Sequence, residues 1–335
     1  MWNEVLNNMK VFVYSCRDDE KILYDEYAEK LGIEFGICKE QPKDDNYELA
    51  KGYDVISVVG TKISEDLLKK FADNGLKCIT ARCIGVDHIP LEYAKKLGVK
   101  VSNITYSPNA VADYAILLML MCLRKEKYIL EHYKVNDYTL AQNCGRELRD
   151  MTVGIVGGGR IGRTVMKQIS GFGCKMLVYD KYQMDEVKEY AQYVDYDYLL
   201  QNCDIITFHA PGTADTYHML NMDNVCKLKK NCIIINTSRG SNIDTKALIY
   251  GIEQEIISAA GLDVLDNEPT IYNIDHKDKL IMDHDVAILE SFPNVIITPH
   301  TAFYTEHAVR DMIENSLKNA VAYFEGKDMP GEIHI

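Results

Sequence analysis

The chain is poor in several features that would commit it to other classes. It has only 8 prolines and 21 glycines among 335 residues, which excludes collagen-like and low-complexity designs. Its 10 cysteines include no C-x-x-C pair, so neither a zinc site nor a disulfide framework is indicated. Most lie in apolar runs, where a free thiol acts as a small hydrophobe. That usage points to a reducing, cytoplasmic compartment. Positive charge is scarce: 37 Lys and Arg against 50 Asp and Glu leave a net charge of −13. Phosphate backbones and anionic lipid surfaces repel such a chain, which argues against nucleic-acid and membrane partners. Long hydrophobic runs are missing too. The longest, Ala115 to Leu123, falls far short of the ~20 residues of a membrane span. Met1 to Lys10 lacks the apolar core of a signal peptide.

What is present is an ordinary globular composition, 47% apolar and 26% charged, in a length that suits about two domains. Short β-rich runs alternate with helical patterns. In the first third the runs are Val11–Tyr14, Asp54–Val59, Lys77–Ala81 and Lys100–Asn103. A long helical stretch follows, from Pro108 to Lys134, with Ser107 as its expected cap and Pro108 in the first turn. The rhythm restarts with Val153–Val156, Lys175–Asp180, Asp204–His209, Cys232–Asn236, Ala259–Leu262 and Val295–Thr298. A last helix spans Thr305 to Phe324. This is the pattern of an α/β protein with two doubly wound parallel sheets. The long helix is the expected connector, and the last helix is expected to return to the first module.

The second module opens with Thr152-Val-Gly-Ile-Val-Gly157-Gly158-Gly159-Arg160-Ile161-Gly162, a G-x-G-x-x-G directly between a β run and a helix. Gly157 permits the tight turn, Gly159 admits a pyrophosphate, and Gly162 allows helix and strand to pack closely. The helix N-terminus adds free amides and a partial positive charge. The next β run ends at Asp180, 18 residues past Gly162, where a carboxylate accepts bonds from ribose hydroxyls. Asp180 would repel a 2′-phosphate, so NAD is favoured over NADP.

Three later segments follow β runs: Asn236-Thr237-Ser238-Arg239-Gly240, Gly261-Leu-Asp263 through Glu268-Pro269, and Thr298-Pro-His300-Thr-Ala-Phe303-Tyr304. Ligands of parallel sheets sit outside the carboxyl ends of strands. One guanidinium, several carboxylates and one imidazole are therefore expected at one end of one sheet. Hydride transfer to a keto acid needs those groups: an Arg fork for a carboxylate, and an imidazolium whose charge a neighbouring carboxylate favours. Singly, each has a plainer reading, with Arg239 in a surface ion pair, His300 as a loop cap and Glu268 solvated. The remaining histidines show no metal-binding spacing, and Tyr190–Tyr198 reads as loop and helix packing.

At these residues the chain resembles the D-isomer-specific 2-hydroxyacid dehydrogenases over nearly its whole length. The N-S/T-x-R-G, D-V-x-x-x-E and P-H-T-A segments stand in family order, with 29 positions from Arg239 to Glu268 and 32 from Glu268 to His300. Ala81 to Asp87, Tyr106 to Asp113 and Thr301 to Thr305 look like its D-lactate dehydrogenase branch, including the enzymes of vancomycin-resistance operons.

The resemblance implies a flavodoxin-like substrate domain, 1–105 with 302–335, and a Rossmann NAD domain, 106–301, with the substrate in the cleft between them. It implies that Arg239 binds the substrate carboxylate and that His300 is the acid–base group, paired with Glu268. Asp263 is implied at the nicotinamide end, and Arg160 and Ile161 along the pyrophosphate. Ala210, Pro211 and Thr216 are implied on the adenosine side, with Thr237 and Ser238 also at the cofactor. Ile84 and Gly85 are implied to offer amides to the substrate carboxylate, and Tyr106 and Phe303 to wall its side-chain pocket. The implied activity is reduction of pyruvate to D-lactate by a homodimer. The rivals are a larger 2-oxo acid such as 2-oxoisocaproate, phenylpyruvate or 2-oxoglutarate, and an NAD-sensing interaction protein. The chain departs from the family pattern at Gly212, Asp113 and Ser241-Asn242.

Overall fold

Apolar runs of four or five residues become parallel strands here, because a strand covered on both faces needs no polar alternation. The computed structural model describes residues 9–31, 33–266, 272, 276–278 and 282–334. The chain divides into two units, Met1–Ser107 with Tyr304–Ile335, and Pro108–Phe303.

In the first unit, β1 (Lys10–Val13), β2 (Glu34–Ile37), β3 (Val55–Val58), β4 (Cys78–Ala81) and β5 (Lys100–Ser102) form a parallel sheet in the order β2-β1-β3-β4-β5. That is the flavodoxin-like order. Every residue of β3 and β4 is buried. Helix Glu306–Phe324 belongs to this unit. Thr305 caps it by accepting the Ala308 amide, and Val309, Ile313 and Leu317 pack with Val11, Val13 and Cys78.

In the second unit, β6 (Thr152–Val156), β7 (Lys175–Tyr179), β8 (Gln192–Tyr193), β9 (Ile205–Phe208), β10 (Cys232–Asn236), β11 (Ile257–Leu262) and β12 (Val295–Ile297) run in the order β12-β11-β10-β9-β6-β7-β8. Counted from β6, this is the Rossmann order with one more strand at the far edge. The order reverses between β6 and β9, and their carboxyl ends define the ligand crevice of such a sheet. Helix Arg160–Ile169 buries Gly162, Val165, Met166 and Ile169 on one face, which seats it on the sheet.

Two strands and one break differ from the expectation. β2 is an edge strand with no fully buried residue, and Gly36 interrupts its apolar run. β8, only two residues long, lies inside the tyrosine-rich stretch read as loop and helix packing. The stretch from Pro108 to Lys134 is two helices, Asn109–Leu123 and Glu126–Lys134, with Pro108 as the cap residue of the first. Lys125 breaks it by adopting a left-handed conformation, φ +54°. The second helix is then fixed by Lys127, whose Nζ donates to the carbonyls of Glu290, Phe292 and Val295 at 3.1, 2.8 and 2.9 Å.

Candidate active site

The nucleotide end of the second unit is built on Gly157. Its φ is +102°, and a Cβ there would lie 2.8 Å from the backbone of His209, at the end of β9. Only glycine satisfies both conditions. The Gly157 amide donates to the Tyr179 carbonyl at 2.9 Å, tying the turn to β7. Gly162 is as restricted, because a Cβ on it would strike the Gly157 carbonyl. Gly159 is different. It precedes helix Arg160–Ile169, and a Cβ built there meets nothing within 4 Å. That open space in front of a helix N-terminus fits a pyrophosphate.

Asp180, just past β7, braces this turn. Its carboxylate accepts the Gly158 amide at 2.6 Å and the Tyr182 amide at 2.8 Å. Lys181 beside it pairs with Asp215 at 3.1 Å. The glycine cradle and the strand-end carboxylate together fit a dinucleotide without a 2′-phosphate. Beyond β9, Ala210 is buried, and the Pro211 carbonyl accepts the Thr216 hydroxyl and the Asn242 amide. Thr213 and Thr216 cap each other reciprocally. His209 places Nε2 2.9 Å from the Thr207 hydroxyl, and burial pushes its pKa down to about 3.

Neighbouring strands β10, β11 and β12 carry Arg239, Asp263 and His300 on their carboxyl-end loops. After β10, the Asn236 side chain accepts the Ser238 amide at 3.0 Å and donates to the Arg239 carbonyl at 2.9 Å. This closes a tight turn that presents Arg239, whose Nη1 donates to the Ser238 carbonyl at 2.9 Å. Ser238 also donates to Asn242, and fully buried Asn242 reaches the Thr216 carbonyl at 3.1 Å. The Ser241-Asn242 departure is therefore a brace between the Arg239 turn and the loop after β9. Gly212, the other departure, leaves its backbone close to the Arg239 stem: a Cβ there would lie 3.1 Å from Arg239 Cγ.

After β11, Asp263 is fully buried and its carboxylate organises the next loop. It accepts the Thr298 hydroxyl at 2.6 Å, the Thr301 amide at 2.9 Å and the Ala302 amide at 2.8 Å. His300 sits in the middle of that loop with φ +53°, its amide donating to the Asp263 carbonyl at 2.9 Å. A left-handed histidine is uncommon and persists only where its surroundings dictate it. The Phe303 ring meets the His300 ring edge-on at 6.1 Å. A further tie runs from His218 Nε2 to Asp266 at 2.9 Å.

The structure thus brings Arg239, Asp263, His300 and Phe303 onto adjoining loops of the second unit. Thr237 and Ser238 lie in the Arg239 turn, and Arg160 and Ile161 open the helix after the glycines. Ile84, Gly85 and Tyr106 stand in the first unit, and Glu268 lies outside the described residues. Residue-by-residue reading marked Asn242 only as a departure from the family pattern and missed its bracing role and the loop-holding role of Asp263. Buried polar side chains among apolar neighbours were the only available signal.

Comparison with known proteins agrees with this fold. The family model described as D-isomer specific 2-hydroxyacid dehydrogenase, NAD binding domain, matches residues 116–302. A D-specific alpha-keto acid dehydrogenase of Enterococcus faecium is 38% identical over 95% of this chain and 98% of its own. An aromatic 2-oxoacid reductase of Clostridium sporogenes is also 38% identical, over 93% of this chain and 95% of its own. Among solved structures, D-lactate dehydrogenase with NAD+ from Lactobacillus jensenii superposes with a TM-score of 0.84 at 33% identity. That match covers 98% of this chain and 100% of the other.

Proposed function

The chain belongs to the D-isomer-specific 2-hydroxyacid dehydrogenases, and from that premise we propose that it reduces pyruvate, with NADH, to D-lactate. The observation that carries the reading is the sharing of adjacent strand ends by Arg239, Asp263 and His300 in an NAD-type sheet. Arg239 receives the substrate carboxylate in its planar fork. The amides of Ile84 and Gly85 complete the grip on that carboxylate. His300 gives the carbonyl oxygen its proton, with Glu268 as the carboxylate that favours its charged form. Bound NADH supplies the hydride. Gly157, Gly159, Arg160, Ile161 and Gly162 hold the pyrophosphate, and Asp180 the adenosine ribose. Ala210, Pro211 and Thr216 line the adenosine side, with Thr237 and Ser238 beside the cofactor. Tyr106 and Phe303 bound the substrate side chain.

A bulkier 2-oxo acid is the second reading, and the similarity to the Clostridium sporogenes aromatic 2-oxoacid reductase supports it. The experiment is NADH oxidation with pyruvate, 2-oxoisocaproate and phenylpyruvate, with the chirality of each product determined. The highest kcat/KM on pyruvate with a D product is the expected result. Preference for a bulkier acid would move the reading to that substrate, and no turnover despite NADH binding would sink it. We further place the enzyme in the cytoplasm, which suits its 10 free cysteines. A homodimer is proposed by family resemblance, and sedimentation checks it.

A further inference from the structure

Arg82 heads the large side chains that are fully buried in the described residues. A buried guanidinium is costly unless it is paired and hydrogen-bonded. Here it is both. Nη2 donates to the carbonyls of Tyr14 at 2.9 Å and Ser15 at 3.4 Å, and Nη1 donates to the Ser57 hydroxyl at 3.1 Å. Nε faces the carboxylate of Glu20 at 3.4 Å, and Glu20 is itself fully buried. The Arg17 amide fixes that carboxylate at 3.0 Å. Tyr14 and Ser15 leave the carboxyl end of β1, Ser57 lies in β3, and Arg82 follows β4 directly. One guanidinium therefore pins the carboxyl ends of three strands that are neighbours in the sheet.

The next residues are Cys83, Ile84 and Gly85, and their carbonyls are all turned to internal partners. Cys83 accepts the Ile104 amide at 3.2 Å, Ile84 the Asn103 side chain at 2.7 Å, and Gly85 the Cys83 thiol at 3.2 Å. The amides of Ile84 and Gly85 donate to no acceptor among the described residues. Such a loop, with carbonyls inward and consecutive amides unclaimed, suits an anion.

We propose that Arg82, held by Glu20, is a positioning residue that sets the Cys83–Gly85 loop so that its amides meet the substrate carboxylate. The inference rests on the assignment of Ile84 and Gly85 to that carboxylate. Apolar residues of equal volume often replace a buried ion pair without loss of stability. A pair placed at the root of this loop serves geometry rather than folding energy.

The test uses the full-length enzyme with Arg82→Met/Glu20→Gln, which removes both charges together, and Glu20→Gln alone in case the double variant does not fold. Folding is checked by cooperative thermal unfolding, and NADH binding by its fluorescence. The expected result for the double variant is normal NADH binding and a pyruvate KM raised on the order of 10- to 100-fold, with a smaller change in kcat. Glu20→Gln alone should raise KM by about half that factor on a logarithmic scale. Gly85→Pro, which deletes one loop amide, is run beside them. A folded double variant with KM within about twofold of the parent, while Gly85→Pro raises KM, overturns the positioning role alone. An unchanged KM in Gly85→Pro as well overturns the carboxylate assignment on which it rests. If only Glu20→Gln folds, an unchanged KM in that variant overturns the role of the pair.

Discussion

Asp263 holds His300 twice over. Its carbonyl accepts the His300 amide at 2.9 Å, while its carboxylate accepts the amides of Thr301 and Ala302, the next two residues. The left-handed backbone of His300 is thus held by the carbonyl and the carboxylate of one buried residue on the neighbouring strand end.

Asp263→Asn keeps the shape but turns an NH₂ toward a donor. A buried donor facing a donor costs about 1–3 kcal/mol. To the extent that this cost displaces His300 at the transition state, kcat/KM falls by up to about 5- to 160-fold. The fall should appear mainly in kcat, with NADH still bound. Steady-state kinetics with pyruvate check it, and activity close to the parent's would remove Asp263 from the account of His300.

Gly240 follows Arg239 and has no room for a side chain, because a Cβ there would strike the Leu265 carbonyl. Backbone is the obstacle, so it cannot swing aside as a side chain would. Gly240→Ala is expected to lower stability by about 1–3 kcal/mol and to raise the pyruvate KM by moving Arg239. Denaturant unfolding and kinetics together read both effects. A variant with unchanged stability would mean that the Leu265 loop yields without resistance.

The legible part of this fold was its buried part. Cys232–Asn236 reads as one apolar run and is one fully buried strand. β2 escaped because an edge strand buries little, and the break at Lys125 because Arg-Lys-Glu-Lys contains no helix breaker. Of the candidate site, the turn at Gly157 and the strand-end positions of Asp180, Arg239 and His300 were legible from short local motifs. The grip of Asp263 on residues 298–302 was not, nor that of Arg82 on Tyr14, Ser15 and Glu20. Those contacts join residues far apart in sequence, and no motif announces them.

Asp180 has two tasks, and its removal should separate them. Under the proposed function the carboxylate would repel a 2′-phosphate, and in the structure it holds the glycine turn through the Gly158 amide at 2.6 Å. Asp180→Ala should raise the ratio of NADPH to NADH use. It should also lower kcat/KM with NADH, because a charged hydrogen bond worth about 1.5–3 kcal/mol is lost. Kinetics with both cofactors decide the matter. A gain with NADPH and no loss with NADH would show that the turn holds itself.

His209 gives a pH dependence whose sign is fixed by its burial. Its folded pKa lies near 3, below the ordinary value of 6.5, because the enclosing protein disfavours the charged ring. Nδ1 is shut off from solvent with no hydrogen-bond partner among the described residues. The ring is therefore neutral at neutral pH and carries no proton for the reaction. In the unfolded chain the same ring takes up a proton below about pH 6.5. Its stabilising contribution is complete above that value and is lost as pH falls toward the folded pKa. The slope approaches 1.4 kcal/mol per pH unit for one proton. His209→Phe removes the uptake while keeping an apolar ring. Urea unfolding of parent and variant between about pH 6.5 and 4 should then show the parent losing stability more steeply, by about one proton. Parallel curves would mean that His209 reaches solvent in the folded state and titrates there as it does in the unfolded chain.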